Sequence, residues 1–218
     1  MIVTIDGPAG AGKSTVARAL ARRLGFHFLD TGAMYRAVAL AGLRRGLDWD
    51  LPDDLARLAR KVDLRIAGEK TFLDGEDVTE AIRTSEVTAV TRYAADNPQV
   101  REHLVGLQRR MAGNRNVVTE GRDQGTVVFP AAECKIFLTA SPEERARRRW
   151  RELESQGEPV TLDQVLAAQE RRDREDASRP VGRLSAAADA VEVCTDGLSV
   201  EQVVDQLELL VGTRTGCH

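Results

Sequence analysis

Near the amino end stand eight residues whose order could hold a chain of phosphates: Gly7-Pro8-Ala9-Gly10-Ala11-Gly12-Lys13-Ser14. They fit the pattern G-x-x-x-x-G-K-[ST]. Glycines at that spacing let successive backbone N–H groups turn inward around a phosphate, and a following helix adds its positive amino-terminal end. Lys13 is long enough to reach β- and γ-phosphates, the Ser14 hydroxyl suits Mg²⁺, and Thr15 completes the set. The competing reading is a glycine-rich turn without a ligand. The flanks decide against it. Ile2, Val3 and Ile5 form a strand-like apolar run, and Val16, Ala17, Leu20, Ala21 and Leu24 recur at helical spacing up to Gly25. Strand, glycine loop and helix in this order predict a nucleoside triphosphate site.

Two more groups follow strand-like runs. Phe26, Phe28 and Leu29 lead into Asp30-Thr31-Gly32-Ala33-Met34-Tyr35-Arg36, and Val117-Val118-Thr119 lead into Glu120-Gly121-Arg122-Asp123-Gln124-Gly125. In a parallel α/β sheet ligands collect at the carboxyl ends of strands, so these side chains are candidate ligand groups. The alternative for the first is that Thr31 caps a helix while Tyr35 and Arg36 lie on its surface. A third group is a run of arginines, Arg145, Arg147, Arg148, Arg149 and Arg151, joined through Gly157-Glu158-Pro159 to Arg171, Arg172, Asp173, Arg174, Glu175, Asp176 and Arg179. It reads either as a solvated, salt-bridged helical hairpin or as an arm carrying arginines to phosphates. The sequence leaves both open.

The elements that must hold these groups alternate as in an α/β fold. The helix after Asp30 runs to about Arg45 and is closed by Gly46, and another spans 53–62. Leu64 with Ile66, Thr71 to Leu73 and Asp77-Val78 read as three short strands with turns at Gly68 and Asp74-Gly75. This small antiparallel meander is expected to belong to a substrate-closing insertion. Helices follow from Ser85 to Ala95 and from Pro98 to Met111. After the strand at 117–119 come a strand at 134–138, a helix opened by the capping box Ser141-Pro142-Glu143-Glu144, and a helix from Thr161. A strand at 190–193 and a helix from the Ser199 cap to about Val211 finish the order, with a disordered tail from Thr213.

The whole chain of 218 residues fits one compact α/β domain with insertions, and two small domains would fit as well. A formal net charge of −3 argues against a nucleic-acid partner held by bulk charge. No apolar run approaches the roughly 20 residues of a membrane span. The glycine motif also begins too close to Met1 for a cleaved signal peptide. Cys134 and Cys194 read as core thiols and Cys217 as a thiol in a frayed tail, in a reducing cytoplasm.

By these segments the chain resembles the bacterial cytidylate kinase family of nucleoside monophosphate kinases along nearly its whole length. The resemblance rests on residues 7–14, on Leu-Asp-Thr-Gly-Ala-Met-Tyr-Arg at 29–36, on Gly-Glu-Asp-Val…Ile-Arg-Thr at 75–84, on Glu-Gly-Arg-Asp-Gln-Gly-Thr-Val-Val-Phe-Pro at 120–130, and on Arg-Asp-x-x-Asp-x-x-Arg at 172–179. It implies an α/β fold: a P-loop kinase core with a five-stranded parallel sheet flanked by helices, a small antiparallel β/helical insert and a helical lid. It also implies one domain over 1–218, with a monophosphate-binding region at about 31–112 and a lid at about 145–180. ATP as donor, Mg²⁺, and CMP or dCMP as acceptors in pyrimidine nucleotide metabolism follow from the same likeness.

Residue by residue, the resemblance places Thr31, Arg101 and Asp123 on the cytosine ring, with Tyr35 beside the acceptor. It places Arg36, Arg122 and Arg179 on the acceptor phosphate, catalytic together with Lys13, and Arg172 and Asp176 near the ribose. Three positions depart from the family pattern: Arg92 stands where a serine is usual, Arg183 where a proline is, and Glu120 where an aspartate is. Lys13 is expected to point into solvent without ligand, and Ser14, with Asp30 through water, to hold the metal. Lid arginines are expected to add positive charge around the transferring phosphoryl group. A monomer is expected, without nucleic-acid or membrane partners. A kinase of shikimate or gluconate type would share 7–14 but not need 29–36 or 120–130. A GTPase would need N-K-x-D, which the sequence lacks.

Overall fold

Val3 and Ile5 are wholly buried, and so are Val118, Thr119, Ile136 and Leu138. Such runs, apolar on both faces, belong to parallel strands covered by helices on either side. In the computed structural model, which describes residues 1–155, 157–179 and 181–215, they form β1 (Ile2–Asp6), β6 (Val117–Gly121) and β7 (Cys134–Thr139). With β2 (His27–Asp30) and β8 (Val191–Cys194) they make a five-stranded parallel sheet in the order β2-β6-β1-β7-β8. The register sets Asp6 beside Gly121 and Phe137. The glycine loop and the 121–125 segment therefore leave the sheet at the same end, the carboxyl end of its strands.

The chain divides into two compact units, one of residues 27–115 and one of everything else described. In the larger unit α1 (Lys13–Leu24) lies on β6 and on α8 (Val200–Thr215). Arg23 of α1 fans across three acids of α8, Glu201 at 3.0 Å, Asp205, and Glu208 at 3.4 Å. Gly25 ends α1 at φ 67°, a left-handed value that glycine adopts without steric cost. α6 (Pro142–Ser155) and α7 (Leu162–Ser178) form the expected hairpin, in which the Trp150 indole N–H donates to the Val160 carbonyl at 3.1 Å.

Three expectations change in this unit. The capping box at the start of α6 is half made. Ser141 Oγ accepts from the Glu144 amide, but the Ser141 amide donates to Asp196 at 2.9 Å while the Glu144 carboxylate pairs with Arg148. α8 runs on through residues 213–215, because buried Leu207 and Val211 continue its apolar stripe and the Thr213 hydroxyl bonds back to Leu210. The rest of the expected disordered tail, Cys217 included, lies outside the described residues. Cys134 is buried as expected, but Cys194 is exposed, since β8 is the last strand of the sheet and has one open side.

The smaller unit is built around α2 (Thr31–Arg44), which is buried on nearly every face by small and apolar residues, among them Ala33, Met34, Ala37, Val38 and Ala41. α4 (Ser85–Asp96) and α3 (Pro52–Lys61) pack on it, and α5 (Pro98–Ala112) packs on α3 and α4. At Gly42 a β-carbon would come within 2.8 Å of the Trp49 ring, so glycine there permits the close approach. Trp49 in turn stacks on Tyr93 with centroids 5.1 Å apart. β3 (Leu64–Ala67), β4 (Lys70–Leu73) and β5 (Glu76–Asp77) make the antiparallel meander, turned by Asp74 and Gly75 at φ 51° and 86°. No helix among the described residues is long and apolar enough to cross a membrane.

Candidate active site

The glycine loop is shaped by its neighbours as well as by its own torsions. Gly7, Gly10 and Gly12 all have positive φ. A side chain at Gly7 would run into the Leu138 carbonyl, and one at Gly10 would meet Gln169 Nε2 at 2.8 Å and Arg145 Cβ at 3.1 Å. Lys13 does not extend into solvent as expected. Its side chain folds back so that Nζ donates to the Pro8 carbonyl at 2.7 Å, and the residue is only 5% exposed. Burial, helped by the nearby charge of Arg122, pulls its pKa down to about 7, against opposing pulls from Glu120 and Asp6. Ser14 Oγ donates to Glu120 at 3.0 Å. A hydroxyl and a carboxylate side by side are the hard oxygen ligands Mg²⁺ prefers, and that ion takes only one or two from protein and the rest from water and phosphate. Among the described residues no cluster of three or more His, Cys, Asp or Glu could hold a metal without such help.

One residue of this site escaped the sequence reading. Asp6 ends β1, and its carboxylate accepts from the amides of Gln124 at 2.8 Å and Gly125 at 2.7 Å. Burial outweighs these bonds and raises its pKa to about 6. The signal was available, since Asp6 is an acid at a strand's carboxyl end like Asp30 and Glu120. Its grip winds residues 124–128 into a π turn, with Thr119 Oγ1 donating to the Gln124 side chain at 2.9 Å. Asp123 sits buried at the entrance to that turn.

Arg122, Asp176 and Arg179 come together as one cluster. Asp176 is buried, and its two oxygens receive Arg122 Nε at 2.8 Å and Arg179 Nη2 at 2.9 Å. Burial alone would raise the Asp176 pKa, but Arg122, Arg179 and Arg172 together hold it below the usual carboxylate value. Of the five arginines on α6, Arg145 and Arg148 are turned inward. Arg148 donates to the hydroxyl and carbonyl of Thr195, both at 3.0 Å. Among the described residues Arg147 pairs with Glu144 and Arg149 with Glu152, acids of their own helix.

The remaining candidates belong to the smaller unit. Thr31 is not the cap of α2. Asp30 is, with Oδ1 accepting from the Ala33 amide at 2.9 Å and Oδ2 lying 3.6 Å from Arg83. Thr31 is then the first helical residue and is buried. Arg36 donates to Thr88 Oγ1 at 2.9 Å and to the Ile82 carbonyl at 3.4 Å. Arg101, buried on α5, lies over the Tyr35 ring at 5.6 Å. Arg92 turns to its own neighbour, with Nη2 3.1 Å from the Tyr93 hydroxyl and the guanidinium 4.8 Å from that ring's centre.

The profile of the family described as cytidylate kinase matches residues 3–212. The chain belongs to the cytidylate kinase family. Among its relatives, a cytidylate kinase of Rhodopirellula baltica is 54% identical over 211 residues, covering 97% of this chain and 92% of that protein. A cytidylate kinase of Desulfitobacterium hafniense is 50% identical over 208 residues, covering 94% and 90%. The chain is thus an enzyme of the nucleoside monophosphate kinase class. A solved shikimate kinase from Bacteroides thetaiotaomicron superposes with a TM-score of 0.51 at 16% identity over 97% of this chain and 98% of that one. That likeness speaks for the P-loop kinase fold alone.

Proposed function

We propose that this family member transfers the γ-phosphoryl group of MgATP to CMP, and to dCMP as a second acceptor, in pyrimidine nucleotide metabolism. The products are ADP with CDP or dCDP. It acts in the cytoplasm as a monomer, without nucleic-acid or membrane partners. In this reading 1–218 is one kinase domain with a monophosphate-binding region at about 31–112 and a lid at about 145–180. The observation that carries the reading is the gathering of Arg122 and Arg179 on Asp176 in the same unit as the glycine cradle and Lys13. Paired guanidiniums beside a phosphate cradle suit two substrates that both present phosphate.

A phosphate oxygen of CMP attacks the γ-phosphorus, and the bond to the β,γ-bridging oxygen breaks to release ADP. The attacking oxygen is already anionic, so no general base is required and catalysis is positioning with charge stabilisation. Lys13 leaves the Pro8 carbonyl for the β- and γ-phosphates, whose charge restores its proton. Ser14 and Glu120 would hold an Mg²⁺ ion brought in with the nucleotide, and that ion would supply positive charge to the phosphates. Arg36, Arg122 and Arg179 take the acceptor phosphate, and Arg172 and Asp176 lie near the sugar. Thr31, Tyr35, Arg101 and Asp123 surround the base. Asp123 accepts from the cytosine amine, where uracil would present a second acceptor.

The test is ATP consumption with CMP, dCMP, UMP, AMP and shikimate offered separately. Fast turnover is expected with the first two and rates at least about a hundredfold lower with the others. Fast phosphorylation of shikimate, or UMP equal to CMP, would overturn the reading.

A further inference from the structure

Arg145 is one of the most deeply buried charged residues in the protein, and the phosphoryl transfer described above does not use it. It leaves the first turns of α6 and makes contacts in three directions. Nε donates to the Ala140 carbonyl at 3.1 Å, Nη1 donates to the Ala9 carbonyl at 3.0 Å, and Nη1 also lies 2.7 Å from Asp173 Oδ2 on α7. Its own carbonyl accepts from Gln169 Nε2 at 3.2 Å. Ala9 and Gly10 belong to the glycine loop, and Gly10 has no room for a β-carbon because Gln169 and Arg145 press against it. The outer wall of the phosphate cradle is therefore the root of the α6–α7 hairpin.

We infer that Arg145 is a positioning residue for the donor-phosphate cradle, acting by binding the Ala9 carbonyl and held in place by Asp173. A loop that binds phosphate through its N–H groups must turn its carbonyl oxygens elsewhere, because an inward carbonyl would repel the anion. Such an outward carbonyl, partly covered by a helix, needs a donor. Arg145 supplies one with a rigid, permanently charged fork, and Asp173 balances that charge. Among the described residues, Gln169 Oε1 and Asp173 Oδ1 are buried without hydrogen-bond partners in the same contact. The wall is thus pinned chiefly through the arginine.

The inference rests on ATP being the donor but not on the identity of the acceptor, so the experiment reads the donor by itself. Calorimetric titration with ATP and Mg²⁺, without acceptor, is compared for wild type, Arg145→Lys, Arg145→Met, Asp173→Asn and the Arg145→Met/Asp173→Asn pair. KM for ATP and for CMP is measured alongside. Arg145→Met is expected to weaken ATP binding about tenfold or more, leaving KM for CMP within about twofold. Arg145→Lys is expected to recover part of the loss, and Asp173→Asn to add nothing once the guanidinium is gone. If Arg145→Met does not fold, Arg145→Lys alone decides, with a smaller loss expected, still toward ATP and not CMP. Unchanged ATP affinity, or equal losses toward ATP and CMP, overturns the inference. Should wild type bind ATP but leave CMP untouched, the proposed acceptor fails while this comparison remains readable.

Discussion

Arg122 donates its Nε–H to the Asp176 carboxylate at 2.8 Å, tying the end of β6 to α7. The other Asp176 oxygen holds Arg179. A carboxylate occupied on both oxygens by phosphate-binding candidates acts first on them and only second on a sugar. Asp176→Ala should therefore lower kcat/KM for CMP and dCMP alike, by about a hundredfold. Removing one partner of a buried pair should also cost about 3 kcal/mol of stability. The stabilisation from this depressed carboxylate is present above its unfolded pKa and is lost only as pH falls through the lower folded value. A loss at least tenfold larger with CMP than with dCMP would assign Asp176 to the ribose instead.

Lys13 gives two opposite pH trends. With a folded pKa of about 7, against 10.5 ordinarily, the unfolded chain binds the extra proton between those values, so stability rises with pH across that window. ATP affinity should run the other way, falling by up to about tenfold per unit above pH 7, because phosphates bind the protonated amine. Lys13→Met should flatten both trends and reduce kcat/KM by about a thousandfold. Denaturant melts and ATP titrations from pH 6 to 10 check this, and trends that survive the substitution assign them to another group.

For Asp6 the sign is reversed. Its folded pKa of about 6 lies above the ordinary 3.8, so the unfolded chain releases its proton first and stability falls as pH rises from about 4 to about 6. Asp6→Asn should remove that slope. It should also cost about 1–3 kcal/mol at pH 7, because an amide NH₂ would face the Gln124 or Gly125 N–H. Melts of both proteins across pH 4–8 measure the difference, and parallel curves would contradict it.

Base choice is read through Asp123. The wild-type preference for CMP over UMP should exceed about a hundredfold, and Asp123→Asn should narrow it, since an amide can donate to the uracil carbonyl. An unchanged ratio of kcat/KM values would place base recognition elsewhere.

The fold was legible wherever backbone conformation dictates residue type. The positive φ values at Gly25, Gly68 and Asp74-Gly75 fall where the sequence puts its turns. The apolar runs of β1, β6 and β7 carry the parallel sheet. What could not be read were partners brought from far along the chain. The π turn at 124–128 owes its form to a carboxylate 118 residues away, and no local pattern announces it. Lys13 looked exposed because its motif is written for the nucleotide-bound geometry, whereas burial here depends on the Pro8 carbonyl and surrounding charge. Asp30 and not Thr31 caps α2, because either side chain can cap and sequence does not fix which residue has the extended backbone.

The two tryptophans fall one in each unit, and their surroundings differ. Trp49 is stacked on Tyr93 in the 27–115 unit, while Trp150 is hydrogen-bonded inside the α6–α7 hairpin. The protein therefore contains two intrinsic fluorophores at separate addresses. In Trp49→Phe the emission reports the hairpin alone, and in Trp150→Phe it reports the smaller unit alone, so the response of each to a ligand can be timed separately by stopped flow without any attached dye.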